Sequence, residues 1–138
     1  WNKKRALVTL PEMAEYIRAN SSDEDTIAGS STVAPLLALA SGRRLAGDEA
    51  DTNTKRFRTG VLNEADYWDA ICRDRVRFIV STSRSFFTPR RMKGHPIVQR
   101  WFRPVKRFDD PQIRHGGTYR IFLFERTQEQ AVDGRVCL

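Results

Sequence analysis

The chain holds only two cysteines and two histidines in 138 residues. Cys72 and Cys137 stand far apart, with no second cysteine pair and no well-placed histidine, which excludes a tetrahedral zinc motif. Cys72 falls within an apolar helical pattern and is expected to be a small buried side chain, not half of a disulfide with Cys137. On that expectation, cysteine usage says nothing about compartment. His95 lies between Gly94 and Pro96, and His115 precedes Gly116. No serine sits in a Gly-x-Ser-x-Gly frame, so a nucleophile elbow is excluded. Long apolar runs are also lacking: the longest, Val33–Ala40, is broken by Pro35, and crossing a bilayer takes about 18–20 residues. The charged start is not followed by an apolar core and a cleavage site, so any targeting element is expected outside these residues. There is no internal repeat and no low-complexity segment.

What is present fits a globular domain. Hydrophobic residues make up 40% and charged residues 30%, enough for one domain with one core. The net charge is +7, and between Arg73 and Arg107 eleven Lys or Arg residues face one acid, Asp74. A surface built from these attracts phosphate, nucleic acid or anionic lipid headgroups; equally, arginines solvate a small domain and cover apolar surface with their stems. Arg84, Arg90, Arg91 and Lys93 are the candidate contacts to an anionic or lipid surface. Phe86, Phe87, Trp101 and Phe102 interleave with the basic residues. They read as stacking groups for bases or sugars, as an interfacial belt on lipid, or as core aromatics. No RNP-type or helix-turn-helix pattern supports nucleic acid.

Pro11 opens a helix ending near Asn20, with Met13, Ala14 and Ile17 buried. Thr26–Ser30 reads as a short buried strand, Val33–Ser41 as an apolar helix stopped by Gly42, and Arg43–Ala46 as an extended segment. Together they make a strand–helix–strand unit, which is parallel and right-handed as a rule. Residues 47–62 read as a polar loop with a helical turn around Asn53–Phe57. Asn63 caps the next helix, with Ala65, Trp68, Ile71 and Cys72 as its stripe. Val76–Ser81 has the near-continuous apolar content of a central parallel strand. Residues 83–95 read as a basic loop and 96–102 as a short helix. Pro104–Phe108 is an edge strand, Asp109–Gly117 a turn, and Thr118–Glu125 a closing strand that completes an antiparallel edge hairpin. The expected fold is α/β: a small three-layer sandwich with a mainly parallel sheet of four or five strands between helices. It forms one domain over 1–126, with a mobile tail over 127–138.

Gly29-Ser30-Ser31-Thr32 joins a strand to a helix. Backbone N–H groups and hydroxyls there suit a phosphate or an acceptor, with Arg43 as a further contact. The segment lacks Gly-x-Gly-x-x-Gly and a Walker lysine, and it reads equally as a turn in which Ser31 or Thr32 caps the helix. Asp48, Glu49, Asp51 and Glu64 lie in a loop and a helix start, where solvated or capping roles are expected of them rather than paired acid–base work. No catalytic residue, metal ligand or cofactor is assigned.

The ordered parts are Tyr16-Ile17-Arg18-Ala19-Asn20, Asp25-Thr26-Ile27-Ala28, Ser41-Gly42-Arg43, Val76-Arg77-Phe78-Ile79-Val80, Trp101-Phe102-Arg103-Pro104-Val105 and Tyr119-Arg120-Ile121-Phe122-Leu123-Phe124-Glu125-Arg126. This order, over residues 8–126, resembles the water-soluble C-terminal domain of polytopic glycosyltransferases of the C type. Those enzymes are related to dolichyl-phosphate-mannose–protein mannosyltransferases and bacterial lipid-linked aminoarabinose transferases. The resemblance implies a polyprenyl-phosphate sugar donor and a catalytic acid in an extracytoplasmic loop between membrane helices, outside this sequence. It implies a non-catalytic domain on the extracytoplasmic face that assists acceptor binding and packs on the transmembrane portion of the same polypeptide. Trp1-Asn2-Lys3-Lys4-Arg5 looks like the water-side end of a membrane anchor, although basic residues beside a span favour the cytoplasmic side. A stand-alone basic nucleic-acid-binding module is the alternative, and a small phosphate-handling enzyme built on Gly29–Thr32 a third reading.

Overall fold

The computed structural model describes residues 7–111 and 118–127. Strand β1 (Thr26–Gly29) follows helix α1 (Leu10–Ala19) and leads through α2 (Ala34–Ser41) to the two-residue strand β2 (Arg44–Leu45). The chain returns through α3 (Thr54–Arg58) and α4 (Glu64–Arg73) to β3 (Val76–Thr82). It then forms α5 (Pro89–Gly94), α6 (Pro96–Trp101) and the hairpin β4 (Phe102–Pro111) and β5 (Thr118–Arg126). The sheet order is β2-β1-β3-β5-β4. β1 is parallel to both β2 and β3, while β5 is antiparallel to both β3 and β4. The α/β sandwich is present, and its sheet is evenly mixed.

Strand periodicity sorts the core into two halves. Ile27, Phe78, Val80, Ile121 and Leu123 point to one face, where Met13, Ala14 and Ile17 of α1 and Leu37 of α2 cover them. Ala28, Ile79 and Phe124 point to the other, under Trp68 and Ile71 of α4, Met92 of α5 and Val98 of α6. A side chain such as Phe78, fully buried, contributes about 1.5–3 kcal/mol. The crossovers β1–α2–β2 and β2–α4–β3 run in opposite directions across the sheet. Two right-handed connections must then place their helices on opposite faces, and α2 and α4 lie there. Gly42 ends α2 in the left-handed conformation, and the Asn63 side chain accepts the Asp66 N–H at the start of α4. Edge strand β4 carries Pro104, the exposed Arg103, Lys106 and Arg107, and a register shift between Pro104 and Lys106. All three features discourage pairing with another sheet edge.

Several sequence expectations are corrected. The basic segment 83–95 is not all loop: Thr88 caps α5 through the Arg91 N–H, a short helix that three successive basic and apolar residues did not reveal. The α4 stripe is Tyr67, Trp68, Ala70 and Ile71, with Ala65 exposed and Cys72 only half-buried. Cys72 is disulfide-bonded; Cys137, the chain's only other cysteine, lies outside the described residues. Trp1–Arg5, the Gln112–Gly117 part of the expected turn and most of the expected tail also lie outside them. Thr127 is described, and it donates through its N–H to the Trp101 carbonyl at 2.8 Å.

Gly29 is where β1 presses hardest on β3. Its φ is +121°, and an added Cβ would stand 2.1 Å from the Val80 carbonyl oxygen. Gly29→Ala is therefore expected to cost more than about 3 kcal/mol, read as a lower urea midpoint or loss of the cooperative transition.

Candidate functional site

At β1 the strand order reverses. The chain leaves β1 to one side for β2, then crosses back to the other side for β3. In α/β sheets such a point opens a crevice outside the strands' carboxyl ends, where ligands bind. That rule points here to the carboxyl ends of β1 and β3, where Ser30–Thr32 meet the loop after Thr82.

The side chains there form a chain of hydroxyls. Ser30 Oγ lies 3.2 Å from Thr82 Oγ1 and 3.0 Å from Thr32 Oγ1, and Thr32 Oγ1 lies 3.2 Å from the Tyr119 hydroxyl. Ser30 and Thr82 are buried, Tyr119 is half-buried and Thr32 is exposed. Each hydroxyl offers one donor and two lone pairs, so Thr32 and Tyr119 keep capacity to meet hydroxyls of a ligand. Ser31 is adjacent and half-buried. Neither Ser31 nor Thr32 caps α2, whose N-cap is Val33 without a side-chain hydrogen bond.

The crevice floor is held from β1's other edge. Because β2 is so short, Gly29 finds side-chain partners: its N–H donates to the Tyr67 hydroxyl at 3.0 Å, and its carbonyl accepts from Thr52 Oγ1 at 2.6 Å. Burial pushes the Tyr67 phenol up to about 12; the Gly29 N–H bond opposes this and Glu49 adds to it. On the β3 side, Ser81 Oγ and the Thr82 N–H both donate to the Phe87 carbonyl. These bonds close a loop that contains the exposed Arg84.

The candidate basic contacts divide. Arg84, Arg90 and Lys93 are exposed, and among the described residues their side chains make no hydrogen bond or ion pair. Arg91 lies over the Phe86 ring at 4.2 Å and 3.9 Å from Glu64, so it is partly committed to the fold. Arg43 does not join Ser30–Thr32. It sits at the far end of α2, donating to Ser21 Oγ at 3.0 Å and pairing with Asp23 at 3.3 Å. There it fastens the α1–β1 turn.

The acids are likewise structural. Glu49 pairs with Arg56, Asp51 Oδ1 accepts from the Asn53 side chain, and Glu64 faces Arg91. Among the described residues no group of His, Cys, Asp or Glu could hold a metal ion. The aromatics of the basic stretch are mostly core. Phe86, Phe87 and Phe102 are buried, and Phe57 stacks on Phe86 at 4.1 Å. Trp101 is half-buried beneath Arg100. Sequence reasoning missed Thr82, Tyr119, Thr52 and Tyr67. Only the strand order brings them to Ser30, although a threonine closing an apolar strand was a signal available at Thr82. Comparison with protein-family models, curated proteins and solved structures finds no match to this chain.

Two side chains beside the site generate tests. Tyr67→Phe leaves the buried Gly29 N–H without an acceptor, and is expected to lower stability by about 1–3 kcal/mol in denaturant titrations. His95 caps α6 by accepting the Ile97 N–H on Nδ1 at 3.2 Å, and its ring stacks on Trp68 at 3.8 Å. Burial lowers its pKa; Glu64 opposes this and Arg91 reinforces it. The unfolded chain therefore takes up this proton first. The stability that His95 contributes is complete above about pH 6.5 and is lost as pH falls through the lower folded value. The wild-type melting temperature is expected to fall more steeply than that of His95→Asn, whose cap does not titrate, between about pH 7.5 and 5.

Proposed function

We propose that this chain is a non-catalytic, extracytoplasmic domain of a membrane glycosyltransferase that uses a polyprenyl-phosphate sugar donor. In this reading the domain packs on the transmembrane portion of the same polypeptide and assists acceptor binding. The observation that carries it is the cluster of hydroxyls at the reversal of strand order, made by Ser30, Thr32, Thr82 and Tyr119. Such a cluster suits a polyol acceptor, because hydroxyls trade donors and acceptors with it at little cost in charge desolvation. Arg84, Arg90 and Lys93, exposed beside this end of β3, suit an anionic membrane surface or lipid phosphate, with Arg91 as a weaker contributor. The disulfide at Cys72 favours an oxidising compartment, as the extracytoplasmic side provides. Phe86, Phe87 and Phe102 are spent on the core, so they do not offer nucleic acid a stacking platform.

The 138-residue chain is expected to transfer no sugar from a lipid-linked donor, and turnover by it alone would overturn the non-catalytic assignment. It is also expected to bind anionic vesicles. A basic residue near such a surface is worth about 1 kcal/mol, so replacing Arg84, Arg90, Arg91 and Lys93 by Gln should weaken binding at least about tenfold. Vesicle binding that survives the fourfold replacement removes the membrane contact. A salt-steep gel shift with DNA or RNA would favour the nucleic-acid module instead.

A further inference from the structure

At the opposite end of the sheet, the amino ends of β1 and β3 frame a cleft of about 460 Å³ lined by Arg75, Arg77, Arg126, Asp25, Asn20 and Ser22. We propose that this cleft binds a phosphate-sized oxyanion presented on a monoester, held chiefly by Arg75 and Arg77.

Arg75 carries the argument. It follows the C-cap of α4 with φ +57°, a left-handed position that ordinarily takes glycine, as Gly42 does after α2. An arginine there adopts a backbone conformation that its Cβ disfavours. That side chain is 42% exposed and lies 3.5 Å from Asp25 Oδ1 and 3.7 Å from Glu24 Oε2. Both distances exceed a hydrogen bond. Its guanidinium donates no hydrogen bond among the described residues, and Nε is buried without an acceptor.

Most of the remaining lining is hydrogen-bonded, although Asp25 Oδ1 is also buried without a hydrogen-bond partner. Asp25 is buried, with Oδ2 accepting the Ser22 N–H at 2.9 Å. Arg126 Nη1 donates to the Val76 carbonyl at 3.0 Å, and its Nη2 lies 3.9 Å from Asp25 Oδ1. Arg77 Nε donates to the Asn20 carbonyl at 3.2 Å, and its Nη2 lies 3.7 Å from Glu125. The lining thus holds three guanidiniums and the Asp25 carboxylate, with Glu24 and Glu125 at 3.7 Å from Arg75 and Arg77, distances too long for hydrogen bonds. Arg75, just before β3, and Arg77, at the register shift between Val76 and Phe78, both line the cleft. A tetrahedral oxyanion can present separate oxygens to each fork and a third to Ser22, beyond what the two coplanar oxygens of a carboxylate supply. The site lies away from the hydroxyl crevice, so it stands or falls independently of the glycosyltransferase reading.

The test follows the arginine Nε–Hε resonances of the 138-residue chain during titration with inorganic phosphate, glucose 6-phosphate and phosphatidate-containing vesicles. Saturable shifts at Arg75 and Arg77 are expected. Arg75→Gly, which suits the left-handed turn, should weaken binding at least about tenfold. Arg77→Gln serves as the second variant should Arg75→Gly fold poorly. Arg58→Gln, on exposed α3, should leave binding unchanged. A response to glucose 6-phosphate without vesicles identifies a soluble ester, and a response to vesicles alone a lipid headgroup; either supports the site. No response to any of the three, equal weakening in Arg58→Gln, or undiminished binding in Arg75→Gly and Arg77→Gln overturns it.

Discussion

The close approach of β1 to β3 at Gly29 and Val80 is the constraint on which the rest of the molecule depends. The backbone of β1 turns through φ +121° where a Cβ would meet a carbonyl oxygen. Ser30 is thereby tied to β3, its N–H donating to Val80 at 2.9 Å and its hydroxyl meeting Thr82. The same point is where the chain reverses its direction of travel across the sheet. One glycine therefore sets the close approach of β1 to β3 and the position of Ser30 in the hydroxyl cluster.

The two edges of the sheet are handled differently, and each choice leaves its mark on the site. β4 is long and carries its own protection in Pro104 and exposed basic residues. β2 is only two residues long, so the outer edge of β1 would be left open beyond it. The Tyr67 and Thr52 side chains fill that gap by taking both backbone groups of Gly29. A buried phenol takes the place of a strand partner there. A short β2 thus leaves the crevice open without leaving its floor unsatisfied.

Much of the fold was legible because local rules and the global fold agree. Pro11 and Asn63 mark helix starts, Gly42 marks a stop, and Val76–Val80 has the apolar content of an interior strand. Where they disagreed, a longer-range effect prevailed. Cys72 and Ala65 fit the helical period of α4, yet the face that packs on the sheet is centred on Tyr67 and Trp68. α5 was hidden because Pro89-Arg90-Arg91-Met92-Lys93-Gly94 buries a single side chain, Met92, too little for a periodic signal. The site was half legible. Ser30 and Thr32 stand out as a strand-to-helix turn, but Thr82 and Tyr119 join them only through strand order, which no local pattern encodes. Arg43 was misplaced for the same reason: eight helical residues carry it to the other end of the sheet.

The fate of the arginines explains why a strong charge bias said so little by itself. Of the basic residues between 73 and 107, Arg91, Arg100 and Lys106 lie over aromatic rings, while Arg73 and Arg107 pair with nearby acids. Those roles are structural and differ little from what an exposed guanidinium does in any small domain. The informative cations are the ones the fold does not use. Arg84, Arg90 and Lys93 are exposed beside one end of the sheet and make no side-chain hydrogen bond or ion pair among the described residues. Arg75 is partly buried at the other end, in a backbone conformation that a glycine would adopt more easily. A surface cation without a partner loses little by remaining hydrated. A partly buried one whose Nε lacks an acceptor has given up hydration without full compensation, and that imbalance singles out Arg75 as the candidate ligand contact.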